Sequence, residues 1–245
     1  ELSPANFVNM HSTPEKFPVY PLLFITIACG AISGFHSTQS PLMARCISNE
    51  KDGKKVFFGA MITEGIVALI WAAAAMAFFG GVSQLGETMA QKGHNAAWVV
   101  NTICNTMLGR AGGVLAIFGV VAAPITSGDT AFRSARLTIA DTFGFSQKKL
   151  TQRLLVTIPL FVVALALTQI DFAIIWRYFG WSNQVLATIV LWAAVAYMIK
   201  QGKPFGFVII PATFMTSVVT TYILVAPEGL QLPYFYSLIA GVGVA

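Results

Sequence analysis

Ionisable side chains are scarce within the apolar runs of this sequence, so the few that interrupt them mark where chemistry could occur. His36 opens the polar stretch His36-Ser37-Thr38-Gln39-Ser40, just after Gly30 and Gly34 spaced as GxxxG. The glycines permit close helix contact, and the polar residues, Ser37 and Gln39 among them, could coordinate a solute where the helix unwinds. The same residues also read as a tightly packed helix end followed by a polar loop.

A second constellation is Pro124-Ile125-Thr126-Ser127-Gly128-Asp129-Thr130, followed by Arg133 and Arg136. Proline cannot donate its backbone bond, and glycine tolerates the dihedrals of a break. Freed backbone groups beside hydroxyls and a carboxylate resemble the ion and substrate sites of discontinuous transporter helices. A capped helix end, with Asp129 neutralised by Arg133 one turn on, is the alternative.

Glu64 sits about two turns inside an apolar run. An acidic group there costs roughly 2.5–3.5 kcal/mol on insertion scales, so it is expected to face a helix bundle, protonated or paired. His36, Glu64 and Asp129 all fall toward one side of the membrane, where a single cluster could relay protons. Asn183 and Gln184 open another apolar run; polar contact between helices is their expected role, and solute contact the alternative.

Enzyme chemistry finds no matching pattern. The His-Glu-x-x-His of a metalloprotease is absent. The Gly-x-Gly-Asp of an aspartyl intramembrane protease has Thr126 at its first glycine and no Tyr-Asp partner. Ser127-Gly128 follows Ile125-Thr126 rather than Gly-x, and no Gly-rich phosphate loop follows a strand. Cys29, Cys46 and Cys104 have no metal or disulfide spacing. No catalytic residue, metal or cofactor is assigned.

The elements that must carry these residues follow from composition. Of 245 residues, 56% are hydrophobic and only 10% charged, with a mean hydropathy of +0.72. Soluble domains carry far more charge. An all-α, polytopic transmembrane helix bundle is the predicted class, and the lipid bilayer is its surroundings. Candidate spans cover 19–35, 57–79, 112–127, 154–170, 182–199 and 207–226, with a partial span at 232–245. The spans 19–35 and 112–127 are short and run into Ser/Thr/Gly-rich sequence, so both are expected to be broken helices.

Loop charge orients the bundle. Arg45, Lys51, Lys54, Lys55, Arg133, Arg136, Lys148, Lys149, Arg153, Lys200 and Lys203 fall in alternate loops, against Lys16, Lys92, Arg110 and Arg177 opposite. The richer side is cytoplasmic by the positive-inside rule, and confinement of the +5 net charge to short loops argues against a nucleic-acid partner. The chain then starts outside without an initiator Met. It reads as one membrane domain, a fragment whose missing N-terminal spans complete it. A helix is expected around 100–108 in the outer loop and another around 132–143 in the inner one, ending at Gly144, with Ser146 capping the next. Trp176, Tyr178, Phe179 and Trp181 gather as an interfacial aromatic belt would.

Four stretches, residues 27–41 (IACGAISGFHSTQSP), 58–65 (FGAMITEG), 123–130 (APITSGDT) and 176–184 (WRYFGWSNQ), are similar to the carbon starvation protein A (CstA) family. The resemblance implies a bacterial inner-membrane protein of starvation physiology. Family members are linked to peptide uptake and close relatives to proton-coupled pyruvate uptake. By resemblance the family groups with the amino acid, polyamine and organocation transporters, whose helices are broken. No site residue is carried over from it. The reading is a secondary transporter whose partners are a small-molecule substrate and a proton; the rival is a membrane sensor or scaffold in starvation signalling.

Overall fold

A computed structural model describes residues 8–9, 14, 17–27, 32–91, 93–170 and 172–245. Of the described residues 81% are helical, with no strand among them. The elements are α1 (Val19–Thr26), α2 (Gly34–Ala44), a 3-10 turn (Glu50–Asp52), a π-helical lead-in (Lys54–Gly59), α3 (Ala60–Phe79), α4 (Val82–Met89), α5 (Ala96–Phe143), α6 (Leu150–Leu167), α7 (Phe172–Lys200), α8 (Gly206–Val225) and α9 (Tyr234–Val244). Glu50–Phe79, α5, α6, Ile174–Lys200 of α7 and α8 are each long and apolar enough to cross a membrane. The protein is an all-α polytopic membrane protein.

Two compact units divide the chain. One comprises Glu1–Val19 and Lys54–Gly128, the other Tyr20–Gly53 and Asp129–Ala245. In the first, α3 packs on its π-helical lead-in and on α4. None of the α3 residues is buried. Glu64 is exposed within this unit.

The second unit holds the better-packed core. Ile25 of α1 packs with Met215, Val218, Val219 and Tyr222 of α8 and with Ala226 beyond it. Tyr20, Phe24 and Phe214 form a ring cluster, the Phe24 and Phe214 centroids 4.8 Å apart. Lipid is as apolar as these side chains, so close packing and hydrogen bonds must supply the association. Small residues make the approach possible. At Gly34 an added Cβ would lie 2.8 Å from Leu186 Cβ and 2.9 Å from Ala187 N, so α2 rests directly on α7.

Neither helix breaks where expected. α1 ends at Thr26 and α2 begins at Gly34, so the stretch after His36 is helical rather than unwound; residues 28–31 between them lie outside the described residues. The polar stretch after His36 is helical because its hydroxyls bond back to the turn below. Ser37 Oγ donates to the Gly34 carbonyl at 2.5 Å and Thr38 Oγ1 to that of Phe35 at 2.7 Å. Ser40 Oγ lies 3.5 Å from the Ser37 carbonyl, which Pro41, lacking an N–H, cannot serve. Gly30 of the GxxxG lies outside the described residues.

Likewise α5 runs through Pro124 to Thr130 without ending at Ser127-Gly128. One proline removes one bond, and Thr126 Oγ1 donates to the neighbouring Ala123 carbonyl at 2.9 Å. The non-helical residue is Gly109, at φ 65° and ψ −177°, a backbone setting open to a residue without Cβ. The helix expected at 100–108 is the part of α5 that ends at the Gly109 kink, and the one expected at 132–143 is its last part, which does stop before Gly144 at φ 69°. Lys149, not Ser146, is the N-cap of α6, its N–H bonded to Gln152 Oε1 at 3.3 Å.

Gly34→Ala should destabilise the protein by about 1–3 kcal/mol through overpacking. Gly119→Ala, with nothing within 4 Å of its added Cβ, should be neutral or stabilising by up to about 1 kcal/mol. Thermal melts in detergent compare the two; equal melting temperatures would contradict the α2–α7 contact.

Candidate functional site

In the second unit, the end of α1 and the start of α2 are served by two adjacent amide side chains on α7. A helix leaves its first N–H groups and last carbonyls without partners, and lipid offers no water to replace them. At the α1 end, the Leu23 carbonyl accepts from the Ile27 N–H at 3.1 Å. The Phe24 carbonyl accepts from Gln184 Nε2 at 2.6 Å. At the α2 end, Ser33 makes no side-chain cap. Asn183 takes that role from the neighbouring helix, its Oδ1 accepting the Phe35 N–H at 2.7 Å while its Nδ2 donates to Ser33 Oγ at 3.3 Å.

Asn183 and Gln184 are 6% and 1% exposed, so these bonds lie away from solvent. Gln184 Oε1 is also buried and accepts no hydrogen bond from the described residues. Buried amide oxygens normally have a donor. Thr188 Oγ1 donates to the Gln184 carbonyl at 2.8 Å. Trp181 Nε1 donates to the Val219 carbonyl at 3.1 Å, which fixes α7 against α8. Trp181 thus turns inward, whereas Trp176, Tyr178 and Phe179 are exposed as belt residues would be.

His36, Ser37 and Gln39 are half-buried on α2, within its first two turns. Gln39 Nε2 donates to Thr38 Oγ1 at 2.9 Å. The part of α5 in this unit reaches α2 where Ser134 Oγ donates to the Thr38 carbonyl at 3.3 Å. One turn earlier, Asp129 Oδ2 pairs with Arg133 Nη2 at 2.8 Å, both side chains mostly exposed. An exposed pair of this kind contributes about 0.3–0.5 kcal/mol. Its chief consequence is electrostatic, since the carboxylate is already balanced. Thr130 is half-buried.

Glu64, Thr126, Ser127 and Gly128 belong to the other unit, the first three exposed and Gly128 half-buried. Among the described residues no group of histidine, cysteine and carboxylate side chains is arranged to hold a metal. A further constellation in the second unit has no counterpart in the sequence reading. Glu228, after α8, faces Arg177 of α7 and Tyr222 of α8. Its only sequence signal was a lone acid and a lone base at the sparsely charged ends of neighbouring apolar runs.

Comparison with known proteins follows the same residues. The family model described as carbon starvation protein CstA matches residues 4–111 and 95–222. An uncharacterized protein of Haemophilus influenzae is 49% identical over 111 residues, 45% of this chain and 80% of that protein. A Bacillus subtilis protein named peptide transporter CstA is 31% identical over 224 residues, covering 75% of this chain and 38% of its own length. An Escherichia coli protein named pyruvate/proton symporter BtsT is 45% identical over 56 residues, 22% of this chain and 8% of that one. The chain thus spans well under half the length of these named transporters. No solved structure matches.

Asn183→Leu removes the acceptor of the Phe35 N–H and should cost about 1–3 kcal/mol, the penalty of an unsatisfied buried donor. Amide exchange at Phe35 should accelerate in parallel. Chemical denaturation and hydrogen exchange in detergent measure both; unchanged protection of Phe35 would show that Asn183 is not its cap.

Proposed function

The chain belongs to the carbon starvation protein CstA family, and from that membership we propose that it forms part of the path of a secondary transporter in the bacterial inner membrane. The solute is a peptide or a small carboxylate such as pyruvate, taken up with a proton in the response to starvation. The observation that carries the reading is that the end of α1 and the start of α2 are both served by α7, through Gln184 and Asn183. Helix ends of this kind place backbone dipoles and polar side chains where a solute can use them. Relatives named as a peptide transporter and as a pyruvate/proton symporter support the substrate classes.

Roles follow from chemistry. Gln184 Oε1, a buried acceptor beside the end of α1, offers a contact for a donor on the solute. His36, Ser37 and Gln39 lie on α2. Arg133 can offer a carboxylate a planar, two-pronged partner, while Thr126, Ser127, Gly128 and Thr130 flank Asp129 on α5. Glu64, an acid inside an apolar span, is one proton carrier of this reading, and Asp129, once a substrate carboxylate displaces it from Arg133, is a separate one.

Proton-driven uptake of labelled pyruvate and of a labelled dipeptide by proteoliposomes holding the full-length gene product checks this directly. Glu64→Gln and Asp129→Asn should abolish gradient-driven accumulation while leaving membrane insertion intact. Full accumulation in both variants would remove them from the proton path. Absence of uptake by the unaltered protein would favour a sensor or scaffold.

A further inference from the structure

At the end of the α7–α8 pair opposite Lys200 and Lys203, one carboxylate is buried against one solvent-reachable guanidinium. The Glu228 side chain is 3% exposed and that of Arg177 is 42% exposed, with Arg177 Nε 3.3 Å from Glu228 Oε2. The Tyr222 hydroxyl donates to Glu228 Oε1. The Tyr178 hydroxyl donates to the Glu228 backbone carbonyl at 3.3 Å. Among the described residues, the charged or titratable groups that face Glu228 are Arg177 and Tyr178 from α7 and Tyr222 from α8. The neighbouring α9 carries no charged residue, and its Tyr234 and Tyr236 are exposed.

The segment that carries Glu228 is folded tightly back on α8. The Gly229 N–H donates to the Ala226 carbonyl at 2.9 Å, that of Leu230 to Ile223 at 2.9 Å and that of Leu232 to Leu224 at 2.7 Å. Gly229 lies so close to the Ile223 carbonyl that a Cβ there would collide with it. Glu228 is thereby held facing inward, while Arg177 keeps one side open to solvent. An arriving anion can reach the cation but not displace the acid by pushing past it.

We propose that Arg177, Glu228 and Tyr222 form a proton-sensitive anion gate at the non-cytoplasmic end of the path, selecting solutes that carry a carboxylate. The proposal rests on the transport reading above. In the closed state the guanidinium is balanced by Glu228. A proton from the outer solvent adds to the Glu228 carboxylate, forming one O–H bond and a neutral acid that Tyr222 continues to hold through its other oxygen. The guanidinium is then left without its carboxylate partner on the inner side while its outer side stays open to solvent. A carboxylate on the solute pairs with the solvent-facing side of the guanidinium, with the charge-assisted geometry that arginine favours. Proton and anion enter in one-to-one charge balance, and the order is enforced because neither alone leaves the site neutral.

Two measurements on the full-length gene product test the gate. In proteoliposomes with radiolabelled pyruvate or radiolabelled alanyl-alanine and an inwardly directed proton gradient, Glu228→Gln should retain counterflow exchange at a rate independent of outer pH. It should lose gradient-driven accumulation. Arg177→Gln should raise KM about tenfold or more, the loss expected for one charge-assisted contact. Accumulation by Glu228→Gln equal to that of the unaltered protein would overturn the gate and leave the transport reading standing. If the unaltered protein takes up neither probe, the transport reading fails, and hydrogen exchange decides the proton sensitivity separately. Corrected for intrinsic rates, the amides of Gly229, Leu230 and Leu232 should lose protection on acidification in the unaltered protein and show no such step in Glu228→Gln. Acid-independent protection overturns the gate on its own.

Discussion

Two neighbouring amides on α7 satisfy the end of α1 and the start of α2, and the second unit depends on that arrangement. In hydrocarbon an unpaired backbone group costs several kcal/mol, so a helix can end there only where protein supplies the missing partners. Gln184 gives a donor to the Phe24 carbonyl and Asn183 an acceptor to the Phe35 N–H. Gly34 lets α2 come close enough for Asn183 to reach. Trp181 and the Ile25–Met215–Tyr222 core then hold α7 and α1 on α8. Loss of the caps would leave these backbone groups unpaired.

The membrane class was legible from composition because the bilayer demands long apolar runs, and five helices meet that demand. Interruptions were harder to read. Pro124 and Gly128 carried the local signature of a break, yet α5 continues through them, since a single missing bond is readily absorbed by a helix in contact with hydroxyl side chains. Gly109, with no proline beside it, takes the left-handed dihedral instead. Whether a glycine bends depends on what surrounds it, which a linear pattern does not encode.

The same limit applied to the candidate site. Asn183 and Gln184 were expected to make polar contacts between helices, and they do, but that they serve the end of α1 and the start of α2 depends on the register of α7 against both. Asp129 and Arg133 were legible as a pair because their spacing is local. Glu228 and Arg177 were not, because they meet only through the packing of α7 on α8. Charge sparsity was informative in both cases, since an ionisable group in such a chain is costly unless it is paired or used.

The central proposal is that solute passes near Gln184 and the polar residues of α2. Thiol accessibility tests this most directly. In the full-length protein with Cys29, Cys46 and Cys104 replaced by serine, Ser37→Cys should react with a membrane-permeant maleimide. Saturating pyruvate or dipeptide, whichever is transported, should slow that reaction while leaving a cysteine introduced at Phe118 unaffected. Equal labelling of Ser37→Cys with and without transported solute would contradict the account.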